Sequence, residues 1–468
     1  MATRKVLLIT LLVASIAVHF AFFGQPDQVV FDEVHFGKFA SAYYTHQYYF
    51  DIHPPLGKLL IAGFGKLFDF RPEYTFANIG QPFPDNSYLA LRFLPVLAGT
   101  LLPIIIFLLA IQLGIRPLLA FFAGMLAVLD NALLAQSRYI LLDMFLLSFG
   151  FAGLLFYFKY KNSGTVRNLL WTGIFFGLSA SIKWTGLAFL GLAGIVELVS
   201  LFSDGKWRVV SNYLRPALYM IAVPFIVYFS VYTVHFSLLP RSGEGDAFMT
   251  PEFRATLIDS EDWQDPVIQP LNNFEKFIEL NKRMYMANAT LTATHPYSSK
   301  WYTWPLMLRS VYYWNGPAEE DRPTSIENPP SQKRIYLIGN PVVWWGSTVA
   351  VLYLILLNIN YGLSRRSKKS IVHSPDSIIY ILLGGWLLNM LPFIGIGRVM
   401  FLYHYLAGLL FAILMFAYAL NRMEKPRNTV IALLTAAFLL FIYFAPLSYG
   451  LPLDVNDFSA RMWLSSWR

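Results

Sequence analysis

The sequence predicts an all-α polytopic membrane protein of about 11 transmembrane helices, and three observations lead there. Of its 468 residues, 56% are hydrophobic and 17% aromatic while only 14% are charged, outside the range of soluble domains. Apolar runs long enough to cross roughly 30 Å of hydrocarbon recur along the whole chain. Lysine and arginine gather in short clusters between alternate runs.

A crossing helix needs roughly 17 to 25 residues. Eleven such runs lie near 6–23, 88–110, 117–134, 140–158, 168–183, 186–202, 216–238, 341–360, 376–394, 399–420 and 429–446. The fifth and sixth are separated only by Lys183, Trp184 and Thr185. The first could be a signal peptide, since Arg4 and Lys5 precede it. It is longer than a usual signal core, however, and Phe22-Phe23-Gly24-Gln25-Pro26 lacks the small-x-small cleavage pattern, so an uncleaved helix is expected.

Cations near span ends are retained in the cytoplasm. With the amino terminus inside, Arg4 and Lys5, Arg116, Lys159 with Lys161 and Arg167, Lys206 with Arg208 and Arg215, Arg365 with Arg366, Lys368 and Lys369, and Arg422 with Lys425 and Arg427 all fall inside. The long loops 24–87 and 240–340 then face outward, each with more acids than bases, and the carboxyl terminus ends outside. The expected organisation is one membrane-embedded domain over 1–468, with an outer loop at 24–87, a second at 240–340 and carboxyl-terminal transmembrane helices over 341–468. No solenoid repeat or low-complexity tract interrupts it.

A net charge of +8 does not imply nucleic-acid binding, because the cations form no continuous stripe. The absence of cysteine excludes disulfides, zinc-thiolate sites and thiol catalysis. Any divalent metal would need carboxylate or imidazole ligands, and the sequence neither requires nor forbids one.

The first outer loop holds Phe31-Asp32-Glu33-Val34-His35-Phe36-Gly37-Lys38, two adjacent carboxylates just beyond the membrane. One of them with a raised pKa could act as a base while the other positions or stays charged; a solvated turn is the bland alternative. Phe36, Phe39, Ala40, Tyr43 and Tyr44 then recur at helical spacing, as in a helix lying in the interface. Asp51-Ile52-His53-Pro54-Pro55-Leu56-Gly57-Lys58 follows, its double proline fixing extended backbone before a second helical pattern. A loop that enters the interface twice around acids, a histidine and a lysine reads as an active-site platform rather than a spacer.

Charge at membrane depth is costly and usually kept for pairing or function. Arg92, Arg138 with Asp143, Lys183, Arg398 and His404 all fall at the outer side of their spans. Four cations on one face suit an anionic head group such as a phosphate diester. Each also has a structural reading: Arg92 or Arg138 snorkelling to lipid, Arg138 paired with Asp143, His404 hydrogen-bonded within the bundle, Asp130-Asn131 as a packing pair. His295-Pro296-Tyr297-Ser298-Ser299-Lys300-Trp301-Tyr302-Thr303-Trp304 in the second outer loop offers aromatic planes and a histidine for a sugar or peptide, or an interfacial belt. Asn288-Ala289-Thr290 fits a glycosylation sequon that chance also produces.

FDEVHFGKFA at 31–40, DIHPPLGKLLIA at 51–62, LRFLP at 91–95, RYILLDMFLL at 138–147, SIKWTG at 181–186, HPYSSKWYTWPL at 295–306, IGNPVVWW at 338–345 and RVMFLYHYL at 398–406 together resemble the protein O-mannosyltransferase family. The resemblance implies an eleven-span GT-C-type glycosyltransferase with its active site on the outer face and a polyprenyl (dolichyl) phosphate mannose donor. It implies Asp32 as catalytic acid residue, Glu33 as its neighbour and Arg92 as an arginine needed for activity. Arg138, Lys183 and Arg398 follow as candidate phosphate ligands. His35, His53, Lys58, Asp143, His295, Trp301 and His404 are candidates for binding substrate or shaping the loops. The implied acceptors are Ser or Thr hydroxyls of secreted or membrane proteins; a dimer is left open. Eukaryotic members insert a β-trefoil module into the second long loop, for which 240–340 is too short. That favours a prokaryotic plasma-membrane member over one of the endoplasmic reticulum. Transfer of another lipid-linked sugar to lipid or glycan is a second possibility, and a lipid-linked sugar transporter a third. Transporters place charge near the midplane rather than at one face.

Overall fold

The structure, a computed structural model, describes residues 2–203, 210–316, 331–364 and 377–468. The basic residues Lys206, Arg208, Arg365, Arg366, Lys368 and Lys369, used above for orientation, lie outside the described residues.

All eleven expected runs fall on helices. The chain opens with α1 (Ala2–Phe20), then α2 (Glu33–Thr45) and α3 (Leu56–Lys66) in the first long loop. The first half of the bundle continues with α4 (Tyr88–Gln112), α5 (Pro117–Val128), α6 (Asn131–Ser137), α7 (Asp143–Ser163), α8 (Val166–Ala180), α9 (Leu187–Ser203) and α10 (Val210–Leu238). The second long loop carries α11 (Pro251–Arg254) and α12 (Asn273–Thr290), and the bundle closes with α13 (Pro341–Ser364), α14 (Ser377–Leu388), α15 (Leu406–Asn421), α16 (Arg427–Tyr449) and a short α17 (Val455–Arg461). Among the described residues, eight helices are long and apolar enough to cross a membrane, or nine if the bent pair α5 and α6 is one span. The other two expected spans are α7 and α8, which pack side by side; at 21 and 15 residues they rise about 31 and 22 Å at about 1.5 Å per residue.

Why the α5–α6 span bends by 60° is written in Asp130. Its backbone is extended, and its carboxylate accepts from Leu133 N–H at 2.9 Å, capping a new helix. The other oxygen accepts from the Asn340 backbone N–H (3.0 Å) and Trp344 Nε1–H (2.8 Å), fastening the break to the start of α13. Asp130 is thus structural, and the bend delivers Arg138 and Asp143 to the bundle end that bears the long loops.

In α2 the buried side chains Glu33, Phe36, Ala40 and Tyr43 form one stripe. Gly37 lies on it because a Cβ there would meet the Phe76 ring at 2.3 Å. The helical periodicity gave no sign of a small antiparallel sheet: β1 (Val311–Asn315), β2 (Gln332–Leu337) and β3 (Pro452–Leu453), in that order. A bulge between Tyr312 and Trp314 breaks the alternation of β1, so that Tyr313 and Trp314 are both buried in succession.

Candidate active site

Between the two long loops and the adjoining helix ends lies a cavity of about 1120 Å³. Asp32, His35, His53, Asp143, Lys183, His295, Arg398 and His404, expected from the sequence, all line it, together with Asp51, Tyr285, Asn288 and Tyr403. Glu33, Lys58, Arg92, Arg138 and Trp301 do not.

Asp32 is the N-cap residue of α2, yet its carboxylate caps no backbone N–H. It is instead turned to the cavity. Burial pushes it up to about 7, with the Lys183 ammonium opposing and the Asp143 and Asp51 carboxylates adding to the rise. Glu33, one residue on, is fully buried. Its carboxylate accepts from Arg92 Nε (2.7 Å) and Nη2 (2.6 Å) and from the backbone N–H groups of Val30 (2.8 Å) and Ile140 (2.9 Å).

That pairing corrects the expectation for Arg92. Its remaining guanidinium hydrogens go to the carbonyls of Gly24 (2.7 Å), Pro26 (2.6 Å) and Gln28 (2.7 Å), and its plane lies 4.9 to 5.2 Å from the rings of Tyr88, Phe83 and Tyr139. With its donors taken and its side chain fully buried, Arg92 has nothing left for a donor phosphate. Arg138 is also turned away from the cavity: buried and outside its lining, it donates to the carbonyls of Ala21 (2.7 Å) and Phe22 (2.5 Å), lies over the Tyr449 ring at 4.7 Å and makes no ion pair with Asp143, while its Nε–H has no partner among the described residues.

Lys183 and Arg398 are the two candidate cations at the cavity. Lys183 sits in extended backbone at the break between α8 and α9 and donates to Asp143 at 2.7 Å. Asp143 also accepts from Gln136 Nε2 at 2.7 Å, and Gln136 in turn accepts from the Tyr313 hydroxyl. Tyr313 stacks on Phe31 with ring centres 4.1 Å apart, and its carbonyl accepts from Phe31 N–H at 3.1 Å. One residue of the second long loop therefore braces both the neighbour of Asp32 and the carboxylate that holds Lys183. Nothing in the sequence marked Tyr313 or Gln136. Burial lowers the Arg398 guanidinium from its usual value, the neighbouring Tyr403 opposing.

Of the histidines, His53 is driven well below its usual range by burial and then by Lys183, Lys58 and Arg398, which keeps it neutral. His295 Nδ1 accepts from Tyr297 N–H at 3.1 Å, and His404 closes a tight turn on Phe401. Lys58 is paired beneath the cavity floor with Asp51 and donates to the His53 carbonyl at 2.7 Å. Asp51, quoted above at the head of the His-Pro-Pro-Leu-Gly-Lys stretch but not among the candidate site residues, also lines the cavity. The sequon residue Asn288 spends its amide on the carbonyls of Ile52 (3.1 Å) and Met284 (2.9 Å). Trp301 begins a 3-10 turn outside the cavity.

Residues 9–240 match the family model for dolichyl-phosphate-mannose-protein mannosyltransferase, and 273–467 match that for the C-terminal four-span region of protein O-mannosyltransferase. Dolichyl-phosphate-mannose–protein mannosyltransferase 1 of Saccharomyces cerevisiae is 23% identical over 694 aligned positions, covering 99% of this chain and 83% of the relative. An alignment that much longer than this chain means insertions in the relative that are missing here. Dolichyl-phosphate-mannose–protein mannosyltransferase 4 of Candida albicans is 37% identical over 272 residues, covering 54% of this chain but only 35% of the relative. Among solved structures, the S. cerevisiae Pmt1-Pmt2 complex bound to its sugar donor superposes with a TM-score of 0.89 at 22% identity, covering 100% of this chain and 93% of that one, a likeness of fold. With two family models matched in order along nearly its whole length, the chain belongs to the protein O-mannosyltransferase family and is a membrane-embedded mannosyltransferase.

Proposed function

We propose that this protein transfers mannose from a polyprenyl (dolichyl) phosphate carrier to Ser or Thr hydroxyls of exported proteins in a single inverting displacement. The carrying observation is Asp32: an acid near neutrality in a cavity that also holds Lys183 and Arg398. A hydroxyl is a poor nucleophile until its proton is taken during attack, and a base is most effective with its pKa near the working pH. In this reading the acceptor oxygen bonds to the anomeric carbon, its proton passes to Asp32, and the bond to phosphate breaks with its electron pair on the carrier. The donor is a diester with one negative charge and leaves as a monoester with two, so cations at the leaving group act most strongly in the transition state. Lys183, braced by Asp143, and Arg398 are those cations. Glu33 with Arg92 holds the loop that carries the base, and neutral His53 shapes the floor. The active face is the one bearing both long loops, which the basic short loops put outside the cytoplasm.

Asp32→Asn keeps the side chain's shape and removes its basicity. Purified variant given radiolabelled polyprenyl phosphate mannose and a threonine peptide should bind donor and form no product. Near-normal transfer, or a product that keeps the donor's anomeric configuration, defeats the mechanism.

A further inference from the structure

We infer that helix α12 is seated in the bilayer leaflet on the side of the long loops, its outward arc of Phe274, Ile278 and Tyr285 immersed among lipid chains, so that the cavity rim at Tyr285 opens to lipid rather than to water. At about 100° per residue these three side chains fall within about 40° of one another. They are 53, 51 and 65% exposed. A second arc, Lys276, Phe277, Leu280 and Met284, is buried against the protein. The other charges of the helix form a third. Glu275 closes the capping box on Asn272, Glu279 accepts from the Thr250 N–H and hydroxyl, both at 2.7 Å, and Lys282 and Arg283 stand beside them within an arc of about 100°. In water an exposed arc of large apolar side chains has nothing to cover it; a helix lying in the interface plane separates apolar from charged surface in this way.

Packing sets the depth. Phe277 sits among the rings of Phe225, Tyr228, Phe229 and Tyr232 on α10, with ring centres 5.1 to 6.3 Å away. Asn281 accepts from the Tyr228 hydroxyl at 2.6 Å, and that hydroxyl accepts from Trp184 Nε1–H at 2.8 Å. One tyrosine therefore ties α12 to the level of the break between α8 and α9, where Lys183 enters the cavity. Tyr228 lies about 21 Å along the apolar stretch that begins at Leu214, at about 1.5 Å per residue, whereas the hydrocarbon layer is about 30 Å thick. That places α12 at the edge of the hydrocarbon and not above the membrane. The exposed apolar side of α10, with Leu218, Ile221 and Phe225, runs into the arc of α12 where Phe225 meets Phe277 and Phe229 meets Phe274. Tyr285, at the far end of that arc, also lines the cavity. An apolar surface thus continues from the membrane-facing side of α10 to the rim, and a substrate carried on a lipid tail can reach the rim without leaving the leaflet.

The chain contains no cysteine, so single cysteines placed along 274–286 of the whole protein can each carry one nitroxide label in phosphatidylcholine vesicles. Collisions with oxygen, which concentrates in lipid, are compared with collisions with a water-soluble nickel chelate. The oxygen-to-nickel ratio at Phe274→Cys, Ile278→Cys and Tyr285→Cys should rise toward that of Leu218→Cys on α10. At Glu275→Cys and Arg283→Cys it should fall toward that of Glu261→Cys, an exposed position of the same loop. Because the pattern is read over several positions, one variant that fails to fold does not decide it. Ratios at the first three positions that match Glu261→Cys put α12 in water and overturn the proposal. So does spin–spin broadening at Phe274→Cys or Ile278→Cys that disappears on dilution with unlabelled protein, since the arc is then a contact between copies of the chain.

Discussion

Arg92→Ala should destabilise the protein and leave donor affinity almost untouched. In the native structure Arg92 makes five hydrogen bonds, two to Glu33 and three to the carbonyls of Gly24, Pro26 and Gln28. Truncation leaves Glu33 as an unpaired charge at zero exposure, a change that typically costs about 3–5 kcal/mol. Two backbone donors, Val30 N–H and Ile140 N–H, stay on the carboxylate, so about 3 kcal/mol, the lower end, is expected. The loop 24–28 loses its anchor as well, and Asp32 moves with it. Purified variant in detergent should melt earlier and turn over slowly, while its affinity for polyprenyl phosphate mannose changes by less than about threefold, or 0.7 kcal/mol. The double variant Arg92→Met with Glu33→Met, which removes both charges together, should recover most of the melting temperature. An unchanged melting temperature with donor affinity weakened about tenfold or more would refute the structural assignment and return Arg92 to the phosphate.

The pH profile offers a second test, because the proposed base, Asp32, can accept a proton only when ionised. Its carboxyl is raised to about 7, so kcat/KM should fall about tenfold per pH unit below that point and level off above it. Lys183 opposes the rise, so Lys183→Met should move the midpoint upward; a midpoint that stays or falls contradicts the placement of the two groups. Tyr313→Phe removes the hydroxyl that Gln136 accepts from, and at about 0.5–1.5 kcal/mol for one net hydrogen bond kcat should drop roughly two- to tenfold while the peptide KM holds. Parent kinetics in that variant would make Tyr313 a packing residue only. For orientation, an impermeant thiol reagent on intact cells should label Ser298→Cys and spare Asn428→Cys, both exposed positions; the reverse pattern inverts the topology.

The periodicity of the apolar runs made the helices legible, since a run of that length in lipid has no alternative to a helix. Convergence of Asp32, Asp143, Lys183 and Arg398 was legible too, because outward-ending charges must share one end of the bundle. What the sequence could not separate was Arg92 from Lys183. Both are lone cations at the same depth, and the difference lies in partners brought from far along the chain: Glu33 and the carbonyls at 24–28 for one, Asp143 for the other. The sheet was hidden for a different reason. Its strands are five, six and two residues long, and the bulge that buries both Tyr313 and Trp314 erases the alternation by which a strand is read.

The adjacent acids show why a motif alone is ambiguous. Consecutive residues entering a helix point about 100° apart, so Asp32 and Glu33 cannot serve one small group together. The structure turns one into the cavity and the other into the protein. Glu33 gathers donors from three separate stretches, at Val30, Arg92 and Ile140, and thereby sets where α2 begins. The position of Asp32 is a consequence of that gathering. From the opposite side Tyr313 stacks on Phe31 and reaches Asp143 through Gln136. The proposed base and the proposed phosphate cation are therefore placed by the same two braces, one buried charge pair and one tyrosine from the second long loop. A change in either brace should move Asp32 and Lys183 together, so that damage to proton transfer and damage to leaving-group stabilisation arrive as one effect and do not add.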